Sequence, residues 1–135
     1  MADIVVDTGN VDISGENVRI TSVLIGESIN PGESLTFISG EHFAGTNASS
    51  EDSEFVGISF KAGVSGEWIS CIQSGPMSLG AGIVKEGDIY VMSSNDGGIM
   101  DITGITATDF VSIVGYGLND DFIFVKPIVT DKQKQ

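Results

Sequence analysis

Apolar residues recur at every second position in short bursts along this chain, and clusters of Gly, Asn, Asp and Ser separate the bursts. Successive side chains of an extended backbone point to opposite sides, so this is the pattern of strands that bury one face. "NVRITSVLI" sets Val18, Ile20, Ser22 and Leu24 on one side and Arg19, Thr21 and Val23 on the other. "SLTFIS" alternates Leu35 and Phe37, and "EFVGISFKA" arranges Phe55, Ile58 and Phe60 around Gly57. "EWISCIQS" is covered on both sides, with Trp68, Ser70 and Ile72 against Ile69 and Cys71. "DIYVMSS", "FVSIVGYGL" and "DFIFVKPIV" are further β-rich runs. Helix signals are poor. The pattern predicts an all-β protein, a compact β-sandwich or small barrel.

The pattern also repeats. "INPGESLTFIS" (29–39) returns as "VKEGDIYVMSS" (84–94). Gly32 then matches Gly87, and Glu33 matches Asp88. Downstream, Val56-Gly57 matches Val114-Gly115, and Glu67-Trp68-Ile69 matches Asp121-Phe122-Ile123. The spacing predicts a duplicated three-stranded unit over residues 29–130. An N-terminal arm or pair of edge strands (1–28) precedes it, and a frayed tail (131–135) follows. A glycine before each strand supplies a turn with φ > 0, and a glycine within the next strand marks a bulge or close backbone approach.

Composition narrows the function. Six Lys and Arg against 19 Asp and Glu give a net charge of −13 over 135 residues. Such a surface repels nucleic acid and anionic membranes, which are held by clustered cations. The single cysteine, Cys71, cannot form an internal disulfide. "MADIVVDTGN" lacks a basic region and a long apolar run, so no signal peptide is expected, and no run has the length of a bilayer span. The expectation is a soluble protein made in a cytoplasm.

No catalytic residue, cofactor site or metal ligand is assigned. His42, the only histidine, lies in the loop-like "SGEHFAGTN", and Cys71 sits mid-strand as a small hydrophobe. The acids Glu51, Asp52, Glu54, Asp120 and Asp121 read as solvated loop charge. Asp7, Asn10 and Asp12, and likewise Ser94, Asn95 and Asp96, offer oxygen ligands on glycine-containing loops, but neither set follows the EF-hand spacing. Trp68, Tyr90 and Tyr116 lie within apolar strand patterns, where core packing is favoured over a sugar platform. The residues expected to meet a partner are Ile4, Val5, Val6, Val11 and Ile13. They lie on an apolar N-terminal segment that suits an edge strand or an arm pairing with a neighbouring subunit. On the arm reading, deleting Met1 to Ile13 removes binding and leaves the β-core folded.

The motifs "INPGESLTFIS", "EFVGISF", "SGEWISCIQSGPM", "VKEGDIYVMSS", "SIVGYGL" and "FIFVKPI", in this order from Ile25 to Val129, resemble the tailed-phage capsid decoration, or cement, proteins. The resemblance implies a compact β-fold on the outside of a phage head, non-enzymatic, bound to the major capsid protein where capsid subunits meet. It implies a symmetric homotrimer that reinforces the shell. A carbohydrate- or receptor-binding β-module of a phage fibre or baseplate is the alternative expectation.

Overall fold

The computed structural model describes residues 3–13 and 18–135, so the expected arm over 1–28 is described except at 1–2 and 14–17. Its strands are β1 (Asp12–Ile13), β2 (Arg19–Leu24), β3 (Ser34–Ile38), β4 (Glu41–Ala44), β5 (Phe55–Ser59), β6 (Trp68–Ser78), β7 (Ile89–Met92), β8 (Ile99–Asp101), β9 (Phe110–Gly117) and β10 (Phe122–Gln133). Strands make up about half of the described residues and helix is confined to two short 3-10 turns, so the protein is all-β as the pattern predicts. One antiparallel sheet runs β4-β3-β5-β6-β10-β9-β7-β8 and curls into a half-barrel, with β1 and β2 both added to β6.

The pairing registers repeat. In the first half Ser34 faces Ile58 and Leu35 faces Gly57, and the ladder then slips so that Thr36 faces Phe55. In the second half Ile89 faces Tyr116, Tyr90 faces Gly115, and the same slip brings Val91 opposite Ile113. The turn before each first strand is tied identically. Gly32 (φ +85°) donates its N–H to the Ser59 carbonyl at 2.7 Å, and Gly87 (φ +83°) donates to Gly117 at 2.9 Å. Both are left-handed positions that favour glycine. The return bonds, Ser59 N–H to Glu33 O and Gly117 N–H to Asp88 O, also correspond.

Several features differ from the sequence expectation. The unit has five strands rather than three. β2 pairs with β6 so that Ile20 faces Ile72 and Ser22 faces Ser70. The far end of β6 pairs with β10 in the same way, Pro76 facing Phe124 and Ser78 facing Phe122. Unit one is therefore β2 to the first half of β6, and unit two is the second half of β6 to β10. The long β6 belongs to both, turning between them at Gly75 (φ +114°). The short strands β4 and β8 fall in stretches that read as loops, including the one that holds His42. The last sequence match also moves by two residues. Ser59 faces Cys71 and Gly117 faces Ile123, so Cys71 rather than Ile69 is the counterpart of Ile123. The hairpin before β10 is shorter than the one before β6, which hides this from spacing alone.

Unit one closes on itself. Ile25 bridges to His42, and Gly26 donates to the His42 carbonyl at 2.9 Å, which joins the end of β2 to β4. Val23, Ile25, Ile29, Leu35, Ile69 and Cys71 fill its interior. In β2 the inward face thus carries Val23, and Ile20 is exposed. Unit two stays open. Its inner residues Tyr90, Met92, Ile99, Val114, Ile123 and Val125 pack against Phe55, Ile58 and Ile72 on the outside of unit one. A third cluster of Val91, Met100 and Ile105 lies under the 3-10 turn Ile102–Gly104. The tail expected to fray instead continues β10 to Gln133, and Lys134 N–H donates to Asp109 O at 2.9 Å.

Candidate interaction surface

The residues weighed for chemistry do not converge. His42 lies on β4, half-buried, with Nδ1 3.2 Å from the Leu24 carbonyl and its ring tilted against Phe37. Burial pulls its pKa down, partly opposed by that hydrogen bond. Cys71 is fully buried, and burial pushes its thiol up to about 11. The thiolate is the reactive form. In native protein at about pH 8 a thiol reagent is therefore expected to leave Cys71 unmodified and to label it once denaturant is added. Rapid labelling of the folded chain would contradict the burial. Among the described residues no three His, Cys, Asp or Glu side chains group so as to hold a metal ion. Asp7 accepts from Asn10 Nδ2 at 2.7 Å, and Asp12 accepts from Ile13 N–H at 2.8 Å. Asn95 Nδ2 is turned toward Asp3 at 3.1 Å.

Three carboxyl groups are perturbed. Asp88 is held above its usual range, chiefly by hydrogen bonding to Asp101, and Asp101 is held below it by the Thr103 N–H and hydroxyl. Glu33 is raised by burial first and then by the charges of Glu27 and Asp96, while the Asn30 N–H at 2.6 Å opposes the rise. A raised folded pKa means the native state holds the proton more tightly than the unfolded chain. The associated stability is present below the ordinary value of 4.5 and is lost as pH rises through the folded value. Tm is expected to fall as pH rises from about 4.5 toward neutrality, and Glu33→Gln is expected to flatten that fall. An unchanged slope in the variant would remove Glu33 from the account.

The structure folds the N-terminal segment onto its own chain. Unit two has no direct bridge like Ile25–His42, and residues 3–7 occupy the corresponding seam. Ile4 N–H donates to Ile99 O and Asp7 N–H to Leu79 O, each at 2.9 Å. Asp3 Oδ2 accepts from Ser93 Oγ at 2.9 Å. Gly32, Gly80 and Gly98 make room, because a Cβ at each would run into Val6, Asp7 and Asp3 respectively. β1 then pairs Asp12 with Ser78 and Ile13 with Met77. Ile4, Val6, Val11 and Ile13 pack against the main core, and of the five expected interaction residues only Val5 stands largely free, 80% exposed.

The surface has two apolar features that the sequence reading placed inside. Trp68 begins β6 on unit one and is 68% exposed, with the exposed Val64 near it in the chain. Glu67 beside it accepts from Val64 N–H at 2.7 Å. On unit two, Tyr116 is exposed and stacks on Phe124 with ring centroids 5.4 Å apart. Next to this stack is a recess of about 190 Å³ lined by Ile89, Ile113, Gly115, Tyr116, Lys126 and Ile128. Tyr90 alone of the three weighed aromatics is core; its hydroxyl accepts from Lys85 N–H at 2.9 Å. The repeat explains the contrast. Ile89, Tyr116 and Phe124 correspond to Ser34, Ile58 and Ile72, which are fully buried because unit two covers them. On unit two the 3-10 turn Ile102–Gly104 and Ile105 cover that face only around Val91, and Ile89 and Tyr116 stay exposed. The chain matches no protein-family model and no curated protein sequence.

Proposed function

We propose that this chain is a non-enzymatic structural protein, a capsid decoration protein of a tailed phage. It is made in the host cytoplasm and comes to lie on the virion exterior. It binds the major capsid protein at threefold or quasi-threefold positions as a homotrimer and stabilises the shell. The observation that carries this reading is where the resembling motifs sit. Gly32, Gly57, Gly87 and Gly115 occupy equivalent turns and bulges of the two units, so the motifs encode a platform and leave function to its surface. Incubation with capsids stripped of the protein, followed by sedimentation, tests it. Saturable co-sedimentation in multiples of three copies is expected, and protein that stays in the supernatant would overturn the reading.

Exposure of Trp68 and Tyr116 gives the carbohydrate-binding reading a specific footing, since sugars stack on exposed aromatic faces. A shift in tryptophan emission on adding glycans, without capsid binding, would favour it over the capsid reading.

A further inference from the structure

Trp68 and the recess on unit two are complementary in apolar character and charge. The protrusion is an exposed indole with a carboxylate, Glu67, beside it. The recess has apolar walls, and its one charged lining residue is a cation, Lys126, in a chain where acids outnumber bases by 19 to 6. Elsewhere the acidic surface repels a second copy, and a carboxylate-free recess that carries a lysine relieves that repulsion. The positions around it also belong to a face that, in unit one, is sealed by another unit of the same ancestry. An indole is the side chain most able to fill such a recess, and Lys126 would meet both its π face and the Glu67 carboxylate.

We propose that Trp68 of one copy inserts into the Ile89–Tyr116–Lys126–Ile128 recess of the next, so that copies of this chain join head to tail. The donor and acceptor surfaces lie on different units, so the contact is heterologous and closes into a ring when the rotation permits. The inference rests on the reading of this protein as a self-assembling structural component, and adds which surfaces meet.

The test is the mass in solution by sedimentation equilibrium for wild type, Trp68→Ala, Ile128→Glu and an equimolar mixture of the two variants. Both substituted side chains are exposed, and unchanged circular dichroism melting shows that the variants fold. Wild type is expected above monomer mass, and each variant alone is expected to be monomeric. The mixture keeps one intact knob and one intact recess, so it is expected to reach a dimer and stop there. The emission of Trp68, the sole tryptophan, should move to shorter wavelength as wild type is concentrated. Glu67→Lys and Lys126→Glu should each weaken assembly, and combining them should restore it. A monomeric wild type, a Trp68→Ala variant of wild-type mass, or a mixture that stays monomeric overturns the contact. Monomers that still decorate capsids would sink this inference alone, and assemblies that ignore capsids would sink the capsid reading alone.

Discussion

Removing residues 1–13 is expected to lower stability by about 4 kcal/mol, a large part of the total for a domain of this size. The four aliphatics Ile4, Val6, Val11 and Ile13 are each partly buried against the main core, and half of a full side-chain burial is worth about 1 kcal/mol apiece. The backbone bonds to Ile99 and Leu79 go with them and leave β8 and the end of β6 with an open seam. Urea unfolding followed by circular dichroism checks this, and Val5→Ala serves as the control because Val5 packs against little. The sequence reading expected the same deletion to spare the core. A truncated chain with the wild-type midpoint would restore that view and make the segment a free arm.

The second large effect is expected at the bulge glycines. Gly57 and Gly115 hold the same place in the two units, opposite Leu35 and Tyr90. Their φ angles are ordinary, so the demand for glycine there is steric. A Cβ on Gly57 would lie 2.5 Å from the Ile72 carbonyl oxygen, and one on Gly115 would run into the Phe124 carbonyl. Backbone cannot step aside as a side chain can, so the sheet must open locally. Each Gly→Ala change is expected to cost about 3 kcal/mol or more, in the range of severe core overpacking. Gly9→Ala, with only Asp7 near at 3.8 Å, should be close to neutral. Equal midpoints for the Gly9 and Gly115 variants would contradict the close strand approach.

Those glycines were legible because the restriction is local: a strand entry at Gly32 or Gly87 and a bulge at Gly57 or Gly115 leave their mark in the chain itself. β4 and β8 were not, because four residues and three residues are too few for alternation to declare itself. The shared β6 was hidden by Ser74-Gly75-Pro76, which reads as a strand end and here is a turn in one continuous strand. Alternation also does not say which side faces inward where both sides are apolar. That is why Trp68 was read as core when Ile69 and Cys71 hold the interior. The recess was out of reach of any local pattern, since it gathers residues of β7, β9 and β10 that meet only through the sheet. The N-terminal segment was seen as a strand seeking an edge, and the edge it finds in the folded chain is its own.

The central proposal, that this protein coats a phage head, is tested most directly by electron cryomicroscopy of tailed-phage capsids incubated with the protein. The account predicts added density on the outer surface at threefold or quasi-threefold positions, three copies to each. Capsids left bare at saturating protein would contradict it.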